Sequence, residues 1–402
     1  MSEWKEYKFS DFVNINPSIK LPKDNPISFV EMKNLDSSLR YCESEQTKIL
    51  SGGSRFMNGD TLFARITPCL ENGKICQVRN LQDGIGFGST EFHVFRSVEG
   101  ISDTNFVYYL SRYEEVRSHA ENNMEGSSGR QRVPKEAFDN LLISLPPLSE
   151  QKRIASILSS LDDKIELLHR ENKTLEAMAE TLFRQWFIEE AKEDWEEKHL
   201  SDYVIDTLGG DWGKENPEGD FVKPVQCIRG TDIADLNVGL ACKTPIRFVK
   251  ESKYDKIHPK TGDIIMEISG GTENQSTGRV AYINNDVIEL FDYPLVFSNF
   301  CRLLSMEEKY TYFIYSYLQY LYKQDEFFNL ENGSSGIKNL DYKALLYDLT
   351  YPMPNENRLI VEYNEKVSLY FRKINKNKKQ IQTLIQQRDS LLQKLMSGEV
   401  KI

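Results

Sequence analysis

The chain of 402 residues is too long for one ordinary core, and its 40% hydrophobic and 28% charged residues are typical of globular domains rather than of disordered chains. No apolar run approaches the ~20 residues that span a bilayer, and residues 1–12 lack the apolar core of a signal peptide, so we expect a cytoplasmic protein without a membrane partner. The formal net charge of −11 disfavours indiscriminate nucleic-acid binding, which needs clustered Lys and Arg, but it leaves room for a basic face.

The cysteine and histidine pattern does not indicate a metal site. No pair has the C-x₂-C spacing of a zinc site, and Cys69 and Cys76 are too far apart for one zinc knuckle. We therefore expect free thiols in a reducing compartment. The cysteines are Cys42, Cys69, Cys76, Cys227, Cys242 and Cys301.

One pattern occurs twice in the chain, about 200 residues apart. Each copy opens on a tryptophan, continues through a Gly-Asp pair and a Gly-Ser-Ser-Gly loop, and closes in a long helical pattern after a proline-containing segment. Matches in the same order predict tandem duplication of a globular domain plus a helix, which suits two DNA half-sites. The matched segments are 59–62 with 262–265, 126–129 with 333–336, 133–138 with 340–345, and 146–150 with 352–356.

Each globular part has a mixed pattern with a bias toward strands. Two segments rich in Tyr, Leu and Phe at helical spacing, 105–118 and 310–323, predict helices. Their aromatic residues are expected to form a buried stripe, and a platform on which bases stack is the open alternative. Short β-branched or aromatic segments predict strands at 61–66, 75–78, 92–95, 263–268 and 279–283.

Two long helices are predicted, one from Glu150 with Ser149 as its N-cap and one from Glu356 onward. Both carry apolar residues at alternating steps of four and three, which is the seam of a coiled coil, and Asn172 is a polar position of the kind that fixes register. The other predicted seam residues are Ile154, Leu158, Leu161, Ile165, Leu168, Leu175, Leu182, Ile360, Val367, Phe371, Ile374, Ile381 and Leu392.

The two helices carry complementary charge, because the first is rich in acidic residues and the second in basic residues. Isolated helices of this length are marginally stable, so pairing with each other in an antiparallel coiled coil is the simplest expectation. Two separate arms that bind other chains are the alternative. The predicted fold is α+β and pseudo-twofold, with mixed α/β domains at 1–149 and 194–354 and long helices at 150–193 and 355–402.

The segment 145–155 (LPPLSEQKRIA), continued by LDDKI, LEAMA and FRQWF in the same helix, resembles the central region of type I restriction-modification specificity subunits. Upstream, ARITP at 64–68, ENGK at 71–74 and GFGSTEF at 86–92 are similar to markers of the target-recognition domains of that family. The second half departs from the pattern: YPMPNEN at 351–357 replaces the Leu-Pro-Pro-Leu signature, and FSNF at 297–300 stands where GSTEF is expected.

The resemblance implies a subunit that binds double-stranded DNA at a bipartite target, with one half-site for each target-recognition domain. It also implies two modification subunits as partners of the helices, with two restriction subunits as optional further partners. Methyl transfer from S-adenosylmethionine belongs to the modification subunits, and ATP- and Mg-dependent translocation and cleavage belong to the restriction subunits. No cofactor is expected in this chain.

Motifs for catalysis are missing from the sequence. It contains neither a G-x-x-x-x-G-K-[ST] phosphate loop nor the Asn-Pro-Pro-Tyr or Asp-Pro-Pro-Tyr motif that holds a flipped adenine. The nearest string, NPSI at 16–19, is interpreted as a turn, and Asp24 with Glu31 and Lys33 as a chance likeness to a metal nuclease. We therefore expect a non-catalytic chain.

Polar residues in loops are the candidates for DNA contact, since Arg, Lys, Asn, Gln, Ser and Thr select bases in the major groove. Singly, each could equally be a solvated loop residue, and the Gly-Ser-Ser-Gly loops could serve only as hinges. The candidates are Arg65, Lys74, Ser89, Thr90, Arg130, Gln131 and Arg132 in the first half, and Ser269, Thr272, Asn274, Gln275, Arg279, Lys338 and Asn339 in the second.

Two other functions stay open at this point. One is a specificity subunit that serves a fused type IIB-like modification–restriction enzyme, which neighbouring genes would distinguish. The other is a self-dimerising scaffold with no DNA role, which a sequence-selective gel shift would exclude.

Overall fold

A computed structural model describes residues 4–127, 129–238, 244–272, 274–333 and 338–402. Packing divides the chain into two units. Unit 1 consists of Met1–Leu167 and Thr383–Ile402, and unit 2 consists of Leu168–Gln382. Each long helix therefore contributes to both units, whereas the predicted boundaries treat the helices as segments of their own.

Both predicted long helices are present, and a π-helical turn at Gln185–Glu189 extends the first of them. The predicted helix at 105–118 is broken into two at Tyr113, whose backbone is extended. The α-helices are α1 (Phe9–Phe12), α2 (Thr104–Arg112), α3 (Glu114–Asn122), α4 (Leu148–Arg184), α5 (Asp232–Val238), α6 (Glu251–Ile257), α7 (Asn285–Ile288), α8 (Glu308–Lys323) and α9 (Arg358–Met396).

The strands of unit 1 are β1 (Lys5–Lys8), β2 (Val13–Ile15), β3 (Ile27–Val30), β4 (Tyr41–Cys42), β5 (Gln46–Lys48), β6 (Ser54–Met57), β7 (Thr61–Ala64), β8 (Ile75–Val78), β9 (Ile85–Gly88), β10 (Phe92–Ser97) and β11 (Leu142–Leu145). Among the described residues they form one sheet in the order β2-β10-β7-β8-β4, a second in the order β5-β3-β9-β6, and the ribbon β1-β11. Strands β3 and β9 are parallel.

The strands of unit 2 are β12 (Glu196–Lys198), β13 (Val204–Gly209), β14 (Phe221–Ile228), β15 (Ile246–Lys250), β16 (Ile264–Glu267), β17 (Ser269–Gly270), β18 (Val280–Tyr282), β19 (Leu295–Phe297), β20 (Cys301–Met306), β21 (Glu331–Asn332), β22 (Lys338–Leu340) and β23 (Tyr351–Met353). They form sheets in the orders β13-β20-β16-β18, β15-β14-β19 and β17-β22-β21, and the ribbon β12-β23.

The two units repeat one topology, which confirms the predicted duplication. The order β2-β10-β7-β8 in unit 1 corresponds to β13-β20-β16-β18 in unit 2, and each unit has a three-strand group with one antiparallel and one parallel neighbour. In each unit a ribbon joins the first strand to the strand before a long helix. The correspondence also places the 297–300 segment where 88–91 lies in unit 1, as the sequence pattern predicted.

The aromatic helices supply core residues rather than an exposed stacking platform. In α2, Phe106, Tyr108 and Tyr109 are buried, and in α8 Phe313 and Tyr317 are buried among the rings of their unit. Burying such rings removes about 150–250 Å² of each from water, which makes them the main contributors to both cores. The prediction of a buried aromatic stripe is confirmed for these residues.

Helix α4 begins at Leu148, so the prediction of Ser149 as its N-cap is wrong. The N–H groups of Glu150 and Gln151 donate to the Pro147 carbonyl at 2.9 and 3.0 Å, and Ser149 lies inside the first turn. Pro147 costs the helix no hydrogen bond, because the N–H group that proline lacks would have no helical acceptor at the start of a helix. The buried Gln151 side chain anchors the turn through the Ile101 and Pro146 carbonyls and the Asp103 N–H.

Most predicted seam residues of α4 are buried, but Leu161, Leu175 and Leu182 are only half-buried. The positions that are buried next to Leu161 and Leu182 are Asp162 and Phe183. A straight helix drifts by about 20° per heptad from a strict seven-residue repeat, so after about four heptads the buried position has moved by nearly one residue, from Leu182 to Phe183. In α9 all six predicted seam residues are buried.

The two long helices contact each other inside each unit. In unit 1, Arg388 of α9 binds Asp162 of α4, with 2.8 Å between Nη1 and Oδ1. In unit 2, the Asn377 amide donates to the Asn172 amide oxygen at 2.8 Å, and the Tyr363 hydroxyl donates to the Ala179 carbonyl at 3.2 Å. Within unit 2, later residues of α4 thus contact earlier residues of α9, which means that the helices run in opposite directions there.

Two further observations concern the described part of the chain. It contains no helix with the length and apolar composition needed to cross a membrane. Its cysteines, all but Cys242, which lies outside the described residues, are free thiols, and no group of three or more His, Cys, Asp or Glu side chains is arranged to hold a metal.

Candidate nucleic-acid interface

In unit 1, three segments lie side by side: the residues that follow β7, those that precede β10 and those that precede Val133. The Arg65 N–H donates to the Glu91 carbonyl at 3.0 Å, and the Arg65 carbonyl accepts from the Val133 N–H at 2.8 Å. The Thr67 N–H donates to the Gln131 carbonyl at 3.0 Å, and the Gln131 N–H donates to the Thr67 hydroxyl at 3.1 Å. These bonds assemble what we call the edge cluster, namely Arg65, Glu91, Arg130, Gln131 and Arg132.

An ion pair lies at the centre of the edge cluster. The Arg132 Nε donates to both Glu91 oxygens at 2.9 and 3.0 Å, and Nη2 donates to Oε1 at 2.7 Å. Hydrogen bonding to this guanidinium lowers the pKa of Glu91 below its ordinary value, with a smaller contribution from the charge of Arg65. The Arg132 side chain is still 43% exposed. The pair therefore orients a cation that a ligand can reach.

Arg65 is half-buried beside this pair, and its Nε has no hydrogen-bond partner among the described residues. Below it lies His93, whose Nε2 is 2.9 Å from the Val133 carbonyl and whose Nδ1 is 3.2 Å from the Asn16 amide nitrogen. Burial lowers the pKa of His93 to about 4, so the ring is neutral at pH 7. Asn16 itself is a turn residue, as predicted, with a positive φ of 54°.

The remaining first-half candidates differ in exposure. Lys74 is half-buried and its ammonium donates to the Met32 carbonyl at 2.9 Å, and the Ser89 hydroxyl accepts from the Glu91 N–H at 3.1 Å. Thr90 and Arg130 are exposed. Lys74 and Ser89 thus shape the loops around the edge cluster, whereas Thr90 and Arg130 face solvent.

Unit 2 has the same backbone bonds at the corresponding place. The Ile268 N–H donates to the Phe300 carbonyl at 2.9 Å, and the Ile268 carbonyl accepts from the Leu340 N–H at 3.0 Å. Ser269 pairs with Asn339, as Ile66 pairs with Arg132 in unit 1. Hence Ile268 corresponds to Arg65, Phe300 to Glu91, and Asn339 to Arg132.

Two of the cationic candidates in unit 2 are engaged by acids of the same unit. The Arg279 guanidinium binds Glu267 through Nε and Nη2 at 2.9 and 2.6 Å, and the Glu267 side chain is 2% exposed. Lys338 lies 2.8 Å from Glu331. These pairs hold the loop around β17 in place, so the two cations are less available than the sequence suggested.

The other second-half candidates lie on β17, on the loop that follows it and on β22. Ser269 is half-buried in β17, whereas the remaining four are exposed, and Thr272 forms a single bridge with Gln275. The Gly-Ser-Ser-Gly loops, for which a hinge role stayed open, include Ser128 and 334–336, which lie outside the described residues. The exposed candidates are Thr272, Asn274, Gln275 and Asn339.

Sequence reasoning missed two residues of this region. Glu91, which orients Arg132, was noted only as part of GFGSTEF, and Phe300, which is 55% exposed, only as part of FSNF. The alignment of the two copies could have singled them out, because both directly precede the strand that pairs with β7 or β16. Their chemistry could not be anticipated without the partner that lies about 40 residues further along the chain.

The sequence model of one protein family, the type I restriction modification DNA specificity domain, matches residues 1–177 and again residues 192–383. The chain belongs to this family. The double match agrees with the repeated topology of the specificity-domain units, and it confirms the resemblance in the central helical region.

Two relatives of the specificity family indicate how far the similarity extends. The specificity subunit of the type I restriction enzyme EcoAI from Escherichia coli is 33% identical over 205 residues, which are 48% of this chain and 35% of that subunit. The MjaIX specificity subunit from Methanocaldococcus jannaschii is 26% identical over 323 residues, which are 74% of this chain and 69% of that subunit. The match thus spans about a third of the E. coli relative.

A solved structure supports the fold. The S subunit of a type I restriction-modification system from M. genitalium superposes with a TM-score of 0.51 at 16% identity, over 98% of this chain and 96% of that one. At this identity the likeness concerns the fold alone.

Proposed function

We propose that this chain is the DNA-sequence-reading subunit of a type I restriction-modification complex, in which units 1 and 2 each bind one half-site of a bipartite target in double-stranded DNA. The observation that carries the proposal is the repeated edge, where the same backbone bonds at Arg65 and Ile268 present different side chains in the two units. Side chains select bases, while the backbone sets their position, so two such edges suit half-sites of different sequence.

The residues proposed to face DNA are the polar ones that solvent reaches. Lys74, Ser89, Arg279 and Lys338 are proposed to shape the edges, because each has a partner inside its own unit and is only partly exposed. The Arg279 and Lys338 side chains are 21% and 32% exposed, against 43% for Arg132. The proposed DNA contacts are Arg65, Thr90, Arg130, Gln131 and Arg132 in unit 1, and Ser269, Thr272, Asn274, Gln275 and Asn339 in unit 2.

The chain is proposed to be non-catalytic and to recruit the subunits that act on DNA. Two modification subunits would use S-adenosylmethionine, and two optional restriction subunits would use ATP and Mg. The expected outcome for the purified chain with target DNA and S-adenosylmethionine is no methyl transfer, and addition of the modification subunit should restore it. Transfer by the chain alone would contradict this part of the proposal.

The long helices are proposed to form an antiparallel coiled coil that sets the gap between the half-sites. Support comes from the polar contacts within each unit, Asp162 with Arg388 and Asn172 with Asn377, since buried polar pairs in a helix seam favour one register. Inserting one heptad into both helices should change the spacer length and leave both half-sites unchanged. A changed half-site would count against the ruler role.

The central test is an exchange of residues 1–149 for the corresponding segment of another specificity subunit. Methylome sequencing of hosts that carry either version should show one new half-site and one unchanged half-site. Replacing 194–354 instead is the matched control, and it should change the other half-site. A change in both half-sites after either exchange would refute the modular reading, and a gel shift without any sequence preference in graded salt would favour a scaffold with no DNA role.

A further inference from the structure

We propose that Arg132 selects a guanine in the half-site bound by unit 1, and that Glu91 is the residue that positions Arg132 for this contact. The inference rests on the proposed function and deepens it, because it assigns a base to one residue of the edge cluster. Three observations lead to it: the geometry of the ion pair, the charge balance of the edge, and the different chemistry at the same place in unit 2.

The contacts of Arg132 leave part of its guanidinium free. Glu91 accepts from Nε and Nη2, which form the side edge of the group, and the Arg130 carbonyl accepts from Nη1 at 3.3 Å. A guanidinium has five N–H donors in a plane, so these contacts leave two donors, one on Nη1 and one on Nη2. With 43% of the side chain exposed, a ligand can reach the group.

Two neighbouring donors held in one plane match guanine better than any other base. In the major groove guanine presents two neighbouring acceptors, O6 and N7, whereas adenine presents one acceptor beside a donor. Cytosine presents only a donor there, and thymine one acceptor and a methyl group. Because Glu91 holds the plane of the group, Arg132 reaches the base with fewer rotamers left to lose than a free arginine would have.

The charge of the edge cluster also suits DNA. Three guanidiniums, on Arg65, Arg130 and Arg132, stand against two carboxylates, those of Glu91 and of Glu125, whose backbone pairs with that of Arg132. These five residues therefore carry one net positive charge, although the chain carries a formal charge of −11. The Glu91 carboxylate pairs with the Arg132 guanidinium, and this pairing keeps the pKa of Glu91 below its ordinary value. The carboxylate therefore orients a cation without making the edge repel phosphates.

Unit 2 has other chemistry at the same place. The backbone bonds of Glu91 and Arg132 are kept at Phe300 and Asn339, yet no carboxylate and no guanidinium stands at those two positions. The edge of an asparagine amide presents one N–H donor beside the carbonyl acceptor, which matches adenine rather than guanine. Positions that keep their backbone geometry and change their side chains are those expected to distinguish one half-site from the other.

The test uses the full chain bound to its modification subunits and a set of duplexes in which each base pair of the methylated target is replaced in turn. For the wild-type complex, one G·C pair in the half-site of unit 1 should cost about 5- to 150-fold in affinity when it is replaced, as a bidentate contact does. A duplex with 7-deazaguanine at that position, which lacks N7, should be weakened as well. In Arg132→Gln both losses should disappear, and in Glu91→Gln they should shrink.

The matched control is Arg130→Gln, which removes a neighbouring exposed guanidinium and should weaken all duplexes alike. Discrimination in the half-site of unit 2 should survive in every variant, which also shows that each variant is folded. The inference is overturned if Arg132→Gln weakens all duplexes alike, if the lost discrimination lies at an A·T pair, or if the 7-deazaguanine effect persists. A wild-type complex without sequence preference would overturn the proposed function itself, whereas a selective wild type with an unchanged Arg132→Gln profile overturns this inference alone.

Discussion

Replacing Arg388 by methionine should destabilise unit 1 by about 3–5 kcal/mol, the cost of removing one partner from a buried ion pair. Arg388 and Asp162 side chains are each 2% exposed, and 2.8 Å separates Nη1 from Oδ1. Arg388 also donates to the Ser38 carbonyl at 3.2 Å, and the second Asp162 oxygen accepts from the Tyr109 hydroxyl at 2.6 Å. Methionine keeps the apolar stem of the side chain and lacks the guanidinium, so the loss comes mainly from a buried carboxylate without its counter-charge.

The origin of the loss can be tested with a second substitution. In Arg388→Met with Asp162→Asn no charge remains in the pair, and the amide oxygen can still accept from Tyr109. Replacing both charges of a buried pair is often nearly neutral, so the double variant should regain most of the lost free energy. A double variant as unstable as the single one would show that lost packing, and not the stranded charge, is responsible.

Hydrogen-exchange mass spectrometry is the suitable assay, because a chain of two units need not unfold in one step. Peptides from Thr383–Ile402 and from residues 148–167 should exchange faster in Arg388→Met, while peptides of unit 2 should not change. Arg358→Met is the matched control on the same helix: Arg358 pairs with Glu362, but its side chain is 82% exposed, so no measurable change is expected. Equal effects of the two substitutions would refute the reasoning.

Three further predictions concern single positions. Asn377→Leu should destabilise unit 2 by about 1–3 kcal/mol in urea unfolding, since it leaves the buried Asn172 amide without its partner, and replacing both by leucine should cost less. Because burial lowers the pKa of His93 from 6.5 to about 4, the neutral ring stabilises unit 1 above pH 6.5. This stability, about 3 kcal/mol, should be lost as the pH falls from 6.5 to 4. His93→Gln should flatten that part of the pH profile, and an unchanged profile would contradict the assignment. Gly53→Ala should lower the melting temperature more than Gly52→Ala: both have positive φ, but only at Gly53 would a Cβ lie 1.9 Å from a facing carbonyl oxygen, whereas at Gly52 it meets nothing.

Local patterns predicted the organisation of the fold well. The two copies, the strands at 75–78 and 92–95 and the long helices follow from spacing alone, since apolar periodicity and the turn residues around a strand act over a few neighbours. The break at Tyr113 and the helix start at Leu148 were missed. Tertiary bonds lie at both places. The Glu114 N–H, directly after the break, donates to the Gln393 amide oxygen at 3.1 Å, and the buried Gln151 side chain bonds to the Ile101 carbonyl and the Asp103 N–H.

The candidate interface was predicted only as a set of residue types. Residue type and loop position identified Arg132 and Arg279 equally, yet one side chain is 43% exposed and the other binds the buried Glu267. The distinction depends on an acid that lies 41 residues away in the first pair and 12 residues away in the second, and on its burial. No local pattern carries that information, because it arises from strand pairing.

By itself, the sequence determined that this protein has two copies of a strand-rich unit, each followed by a long helix, and that the copies belong with type I specificity subunits. Periodicity and a long motif of unusual composition indicate these features, and neither depends on contacts between residues that are distant in the chain. Only the tertiary structure decided which polar side chains bind a buried partner and which stay exposed to solvent. It places the Glu91 carboxylate against Arg132 in unit 1, whereas in unit 2 Phe300 and Asn339 both pair with the 268–269 segment. The same backbone bonds thus join segments that are far apart in the chain.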